Sequence, residues 1–305
     1  MFHLKSKAVF LLVPFLLFFA KNKTPDLNIE MIIAGVKHYD SLVKSGEGEI
    51  IYTRYQAPFL KVPAQKRRCY LIFDGKKTRM EFEGNLDLSG IYFPKSIYLI
   101  TPERDVWEIA HRKSRVSYAV LSKLPTLVER VDPRWMIMRA WRGLELSEYL
   151  AERGFSIKTE EPLGKIPCYL LEAQIKENQK ERIWITPDYG FRFLKYEHRL
   201  LLRVGVPPLG IKPGTPGVIR RFVSYRQYGD AWFPQKELSQ VSWIDSGGKE
   251  HLIANVQIEV KNFRLNHEIP EGKFIIEIPE DARIWVEDLH KFLSKEEFFK
   301  LHGLK

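Results

Sequence analysis

The chain has 305 residues, of which 45% are hydrophobic, and this combination excludes a disordered tail and a collagen-like rod. A chain of this length can bury a sizeable core without disulfides or metals. The 48 Lys and Arg residues outnumber the 38 Asp and Glu residues and give a formal net charge of +10. This charge favours an anionic partner such as phospholipid, lipopolysaccharide, nucleic acid or acidic glycan, without choosing among them.

Residues 1–20 have the layout of a secretory signal peptide. Lys5 and Lys7 precede an apolar run at residues 8–20, which is too short to cross a bilayer as a straight helix. Ala20 suits the position before a cleavage site, whereas Phe18 is large where small side chains are preferred. We predict export to the periplasm or the medium, and keep an alternative in which residues 8–20 remain as a tether to the inner membrane.

The rest of the chain begins with a helix and continues as strands. Apolar side chains recur at helical spacing between Ile29 and Val43, and Asn28 or Thr24 suits the start of this helix. Residues 74–77 read Asp-Gly-Lys-Lys and predict a tight hairpin. Thirteen short apolar or alternating runs are candidate strands, from which we predict about eleven antiparallel strands. These runs are residues 49–55, 68–73, 78–82, 96–101, 105–111, 115–121, 168–175, 181–185, 191–203, 218–228, 232–244, 252–263 and 274–278.

Three segments interrupt or follow the strands. Residues 133–153 predict a helical insertion, and residues 206–217 form a loop rich in Pro and Gly. Ser294 and Glu297 have capping-box spacing, which predicts a short C-terminal helix within residues 291–305. No change in composition marks a boundary, so residues 21–290 are predicted to form a single domain.

The two cysteines, Cys69 and Cys168, allow two interpretations. In an oxidising compartment they can form one disulfide. Both lie in apolar, strand-like stretches, which favours two buried free thiols instead. They supply too few ligands for a zinc site, and we predict no metal and no cofactor.

Catalytic motifs are missing from the sequence. There is no G-x-S-x-G elbow, no H-E-x-x-H pair and no Gly-rich phosphate loop. His198 is a candidate ligand or base, and Asp105, Glu108 and His111 are a candidate acid–base group. We predict that both lie on solvated strand faces instead, as charged strand residues normally do. The basic residues are scattered and lack a stacking platform for nucleic acid, and export also argues against such a partner. We predict neither enzymatic activity nor nucleic-acid binding. The basic residues either contact an anionic membrane surface or serve only to keep the protein soluble.

Several strands carry large apolar residues on both faces, as residues 105–109 and 182–185 do. A curved sheet with an apolar concave face, covered by helices, would explain this pattern. Such a cavity suits an acyl chain or another amphipathic ligand. An ordinary core between a helix and a sheet explains the pattern equally well.

Four segments resemble the outer-membrane lipoprotein-sorting family, the LolA/LolB-like periplasmic carriers. They are the helix that runs into residues 45–53 (Ser-Gly-Glu-Gly-Glu-Ile-Ile-Tyr-Thr), the hairpin at residues 74–82, the strand pair at residues 181–197 and the closing segment at residues 266–279. The resemblance covers most of residues 27–290. It implies an incomplete antiparallel barrel with a helical lid and an apolar cavity. The compact carriers of the family hold lipoprotein acyl chains in this cavity, whereas related proteins use the same fold as envelope sensors. This chain is longer and more basic than the compact carriers.

The predicted fold class is therefore α+β, mainly antiparallel β, with an incomplete, half-open barrel and helices over its concave face. The predicted function is an exported carrier-like protein that binds lipid or lipoprotein acyl chains. The alternatives are an envelope sensor or scaffold that binds protein without lipid and, with less support, a secreted hydrolase. Large apolar side chains at mid-strand are the candidates to line the cavity: Tyr52, Phe82, Trp107, Trp184, Tyr196 and Trp243.

Overall fold

The computed structural model describes the chain in eleven stretches. They are residues 27–55, 64–83, 95–100, 106–112, 115–122, 132–136, 145–202, 211–275, 278, 282–286 and 289–302. The predicted signal peptide and tether lie outside these residues and stay predictions. Within the described stretches, no helix is both long enough and apolar enough to cross a bilayer.

The described residues contain three α-helices and fifteen strands. The helices are α1 (Ile29–Ser41), α2 (Leu146–Glu152) and α3 (Lys295–His302). The strands are β1 (Ser45–Tyr55), β2 (Gln65–Asp74), β3 (Lys77–Glu83), β4 (Lys95–Ile100), β5 (Val106–Arg112), β6 (Arg115–Ser122), β7 (Ser156–Glu160), β8 (Tyr169–Lys176), β9 (Gln179–Thr186), β10 (Arg192–Leu201), β11 (Pro216–Tyr228), β12 (Ala231–Ile244), β13 (Glu250–Leu265), β14 (Arg283–Val286) and β15 (Lys291–Ser294).

All described strands belong to one sheet, in the order β15-β14-β6-β5-β4-β3-β2-β1-β13-β12-β11-β10-β9-β8-β7. Every neighbouring pair is antiparallel except β14 and β6, which are parallel. In this order β15 and β7 are the two ends and do not pair with each other, so the sheet is open. The predicted α+β, mainly antiparallel class is confirmed.

The sheet is curved. Phe73 on β2 and Phe233 on β12 are three strand spacings apart, which is about 14 Å in a flat sheet. Their ring centroids are nevertheless only 6.1 Å apart, and Phe263 on β13, between them, stacks on both rings. The face that carries these rings is therefore concave, as in the predicted half-open barrel.

Helices α1 and α2 pack on this concave face and against each other. Ile32 and Val36 on α1 are completely buried in the core, as the helical spacing predicts. The side chain of Asn28 accepts a hydrogen bond from the Met31 backbone N–H at 2.9 Å, so Asn28 is the N-terminal cap of α1.

An ion pair joins the end of α1 to the start of β10. Arg192 is fully buried and donates to the carboxylate of Asp40, which is 5% exposed. Beside it, Gly190 adopts φ +69°, and a Cβ at this position would lie 2.5 Å from the Tyr39 ring. The close approach of α1 to the turn before β10 therefore requires glycine.

Other segments differ from prediction. In the insertion at residues 133–153, the described residues form a 3₁₀ helix at Pro133–Met136 and then α2. The strand predicted at residues 274–278 is wrong at its start, because Glu271–Phe274 form a 3₁₀ helix. β7 was missed because its side chains are mostly exposed and show no apolar alternation. The C-terminal segment adds β15 before α3, whose capping box is confirmed: the Glu297 N–H donates to Ser294 Oγ at 3.1 Å.

Candidate ligand-binding face

Strand register shows which side chains share the concave face, because directly paired residues point to the same side of a sheet. One row crosses eight strands and contains two arginines; we call it the arginine row. It consists of Gln65, Arg54, Val256, Ser239, Arg221, Tyr196, Ile183 and Leu171. The neighbouring row nearer the aromatic core, the inner row, consists of Tyr52, Ile258, Glu237 and Val223. The row on the other side, the outer row, consists of Ala254, Val241, Ile219, His198, Glu181 and Ala173.

The concave face has two halves that differ in burial. On the covered half, beneath α1, Phe233 is completely buried and Val223 and Ile258 are nearly so. The open half comprises the residues of the arginine and outer rows on β1 and β11–β13, together with Trp243. All of these side chains are half-exposed: Arg54, Val256, Ser239, Arg221, Ala254, Val241, Ile219 and Trp243. Five of the eight are apolar, so the open half is an accessible apolar surface.

The structure separates the six predicted lining residues. Tyr52, Phe82 and Tyr196 face the concave core, where Phe82 and Tyr196 are buried and Tyr52 is half-buried. Trp243 lies in the open half and stacks on His251 with 4.5 Å between ring centroids. These four side chains lie on the concave side of the sheet, and their role in lining a ligand cavity stays a prediction.

The other two tryptophans do not join them. Trp184 lies on the opposite face, in a cluster with Cys168, Leu170 and Leu194, and the Lys195 ammonium is 3.9 Å from its ring centroid. Alternation along β9 explains this, because the neighbouring Ile183 occupies the concave side. Trp107 pairs in register with Leu99, and its side chain lies outside the described residues.

Cys69 and Cys168 are both free and buried. Cys69 belongs to the concave core, whereas Cys168 belongs to the cluster on the opposite face. The sheet therefore separates the two sulfur atoms, so the disulfide interpretation is wrong and the two thiols are free. Burial raises the pKa of both thiols.

A polar cluster on the concave face was missed from the sequence. Tyr149 on α2 donates to the carboxylate of Glu181, and the Nε2 atom of His198 lies 3.7 Å from the same carboxylate. Burial raises the pKa of Tyr149 and Tyr196 and lowers that of His198. His198 is thus half-buried rather than on the solvated face predicted for it. Its position two residues after Tyr196 was the available signal, since both share one face of β10.

Arg221 and Glu237 form a second polar pair at the border between the halves. Their Nε and Oε1 atoms are 3.8 Å apart. Burial raises the pKa of Glu237, and Arg221 opposes this shift only in part. The Nε atoms of Arg221 and Arg54 are buried and have no hydrogen-bond partner.

The carboxylates of these two polar clusters, Glu181 and Glu237, do not form a hydrolytic pair. Glu237 and Glu181 belong to the inner and outer rows, which are four residues apart along β11, or about 13 Å. Carboxylate pairs in glycosidases are at most about 9.5 Å apart. Asp105 lies outside the described residues, as do the side chains of Glu108 and His111. Among described residues, no group of three or more His, Cys, Asp or Glu is placed to hold a metal ion.

A groove of about 520 Å³ lies over β1–β3. Glu49, Arg68, Tyr70 and Glu81 line it from the face opposite the concave core, and Glu83 and Asn262 complete its polar rim. Arg68 lies 3.5 Å from Glu49, so part of its charge is neutralised internally. Cys69 and Phe82 also border the groove, so its charged side chains surround a partly apolar lining.

No protein-family model matches the chain, and no curated protein sequence matches it. Among solved structures, it is similar to a LolA superfamily protein from Nitrosomonas europaea, with a TM-score of 0.46, 12% identity and coverage of 82% of this chain and 98% of that chain. It is similar to a DUF1329 family protein from Desulfovibrio piger, with a TM-score of 0.46, 13% identity and coverage of 81% and 97%. A domain described as an outer membrane lipoprotein-sorting protein from Vibrio parahaemolyticus gives a TM-score of 0.43, 14% identity and coverage of 81% and 97%.

In sequence, four segments of the chain resemble the outer-membrane lipoprotein-sorting family. The open antiparallel sheet with helices on its concave face is the fold which that resemblance implies.

Proposed function

We propose that the chain is an exported, non-enzymatic carrier-like protein that binds the acyl chain of a lipid or lipoprotein, or a similar amphipathic ligand, on the open half of its concave face. One observation carries this proposal: α1 and α2 leave the largely apolar open half uncovered, although it adjoins the buried core on the same strands. A half-exposed apolar surface gains about 25 cal/mol for each Å² that a ligand removes from water.

The shape of the open half suits a chain-like ligand. Ile219, Val241 and Ala254 lie side by side on three adjacent strands, and Trp243 extends the same surface along β12. Curvature lets neighbouring strands contact a bound chain from two sides. Each buried methylene contributes about 0.8 kcal/mol, so a medium-length acyl chain is sufficient for measurable binding.

A sensor or scaffold that binds protein without lipid is the second candidate. The observation in its favour is the edge hairpin of β14 and β15, where Phe292 is 48% exposed and its ring centroid lies 5.0 Å from that of Trp285. An exposed aromatic side chain on an edge strand is a feature of protein contact sites. A pull-down from envelope extracts distinguishes this candidate from the first.

Native mass spectrometry of the gently purified full chain, with added decanoate and longer acyl ligands, tests the proposal. We expect co-purified lipid or a mass shift on addition of ligand. Ile219→Asn should weaken acyl binding about tenfold, because it places an amide in the apolar open half. Phe222→Asn is the matched control, since Phe222 lies on the opposite face of the same strand and is already 37% exposed. The absence of lipid and of any shift would exclude the proposal.

A further inference from the structure

We propose that Arg54 and Arg221 bind the compact anionic head group, a carboxylate or a phosphate, of the ligand whose acyl chain occupies the open half. This inference rests on the proposed function, because the head group is positioned by the same surface. It makes the site selective for anionic amphiphiles over neutral ones.

The two guanidinium groups belong to one row of the concave face. Arg54 on β1 and Arg221 on β11 are separated in the arginine row only by Val256 and Ser239. Three strand spacings correspond to about 14 Å between backbones in a flat sheet. Curvature shortens the span on the concave side, and two long side chains can approach one small anion from opposite ends, with the Ser239 hydroxyl between them.

Both arginines have donors that the protein itself does not use. The Nε atom of each is shielded from water and lacks a hydrogen-bond partner. A buried donor without an acceptor is unfavourable, so each half-exposed arginine side chain would gain hydrogen bonds by rotating towards a carboxylate or phosphate oxygen on the open half. The outer-row side chains next to the arginines, Ile219, Val241 and Ala254, are apolar and offer no acceptor, so on this side only a ligand could supply one.

The internal counter-charges do not neutralise this pair. Within the described part of the chain, no ion pair reaches Arg54, and the ion pair of Arg221 is to Glu237, at 3.8 Å. Burial raises the pKa of Glu237, which weakens it as a counterion. Glu181, a second buried strand carboxylate on the concave face, lies one row away and accepts a hydrogen bond from Tyr149. The arginine row therefore carries more positive than negative charge.

The surroundings give the ligand an orientation. The outer row beyond the arginines is apolar on β11, β12 and β13, and Trp243 continues it, whereas the inner row leads into the filled aromatic core. A head group at the arginine row therefore directs its acyl chain along the outer row and away from α1.

Isothermal titration calorimetry of the full chain with decanoate, decyl phosphate and decanol, each below its aggregation concentration, tests this inference. We expect at least one of the two anionic ligands to bind about tenfold more tightly than decanol, because hydrogen bonds to charged groups are the strong ones. Arg54→Gln and Arg221→Gln should each remove most of this preference and leave decanol binding unchanged. The stronger of the two anionic ligands identifies the head group as carboxylate or phosphate.

Glu237→Gln provides a test of opposite sign. It removes the carboxylate that competes for Arg221 and keeps the shape of the side chain, so anionic ligands should bind more tightly while decanol binding stays the same. Arg199→Gln is the matched control: Arg199 is on the opposite face of β10, its side chain is 55% exposed, and its loss should change none of the affinities.

The possible failures are distinguishable. Equal binding of all three ligands, unaffected by the arginine variants, would overturn the head-group inference and leave the proposed function intact. Absence of binding by all three would overturn the proposed function as well. Inorganic phosphate that binds as tightly as decyl phosphate would show an anion site without an acyl site and would also overturn the inference. Thermal unfolding of each variant confirms that a lost affinity is not a lost fold.

Discussion

The covered and open halves of the concave face are built from the same strands but differ in how deeply their side chains are buried. β12 alone carries Phe233, completely buried under the helices, and Trp243, half-exposed beyond them. Both are large aromatic side chains on the concave side of one strand. The difference comes from α1 and α2, which cover one half and leave the other. An apolar strand position is thus a core position or an accessible position according to what packs above it.

The halves also differ in their polar chemistry. The covered half contains a directly contacting ion pair, Asp40 with Arg192, which ties α1 to the sheet. Buried donors without a hydrogen-bond partner occur in both halves, on Arg192 in the covered half and on Arg54 and Arg221 in the open half. The halves differ in the counter-charges: Glu237 lies 3.8 Å from Arg221 without a hydrogen bond, and within the described residues no ion pair reaches Arg54.

The largest expected effect contrasts the two aromatic residues of β12. Phe233→Ala should lower the free energy of unfolding by about 3–5 kcal/mol, because it leaves a cavity among stacked rings. Trp243→Ala should cost only about 1 kcal/mol, since Trp243 is already half-exposed, but it should weaken acyl binding. Denaturant unfolding measures the loss of stability, and calorimetry measures the affinity for acyl ligands. Equal losses of stability would mean that the halves are equally packed.

A smaller effect concerns the pH dependence of the covered half. Burial raises the pKa of Asp40 to about 6, against the opposing effect of Arg192. Below this pH the native state binds a proton that the unfolded chain takes up only near pH 4, so this residue's contribution to stability rises as pH falls from about 6 to 4 and is lost above. Asp40→Asn lacks this dependence.

As pH rises from 4 to 7, the unfolding free energy of the wild type should therefore fall by up to about 3 kcal/mol relative to that of Asp40→Asn. Urea unfolding at several pH values measures it. A gap that stays constant across this range would show that Asp40 titrates normally and that Arg192 fully compensates its burial.

The smallest effect tests how closely α1 approaches the sheet. Gly190→Ala should cost about 2–3 kcal/mol, because its Cβ would clash with the Tyr39 ring in addition to the strain of a positive φ. Gly229→Ala is the matched control: Gly229 has φ +58° and nothing within 4 Å of its Cβ position, so its substitution should cost only about 1 kcal/mol. Thermal unfolding compares the two. Similar costs would mean that α1 can move away without penalty.

Local patterns made the helix and many strand positions predictable. The apolar spacing from Ile29 and the Asn28 side chain define α1, and Asp74-Gly75 makes the turn between β2 and β3. Residues 254–260 alternate as predicted, with Val256 and Ile258 turned to the concave core. These features depend on neighbours in the chain, so the sequence contains them directly.

The site was only partly predictable for the same reason. Tyr196 and Trp243 were found because large apolar residues at mid-strand are a local signal. Trp184 carries the same signal, but the phase of alternation on β9 turns it to the opposite face. Arg54 and the adjacent pair Arg220 and Arg221 gave no such signal, since arginines in a strand are typical of a solvated face.

The sequence by itself determined the elements of this protein: a capped helix, tight hairpins and strands with an apolar side. Only the tertiary structure decided which apolar side chains are core and which are accessible, and which charges share a row. The reason is that β1 pairs with β13, which is distant in the chain, and this long-range register aligns Arg54 with Val256, Ser239 and Arg221. The position of α1 over one half of the curved sheet then leaves that row open.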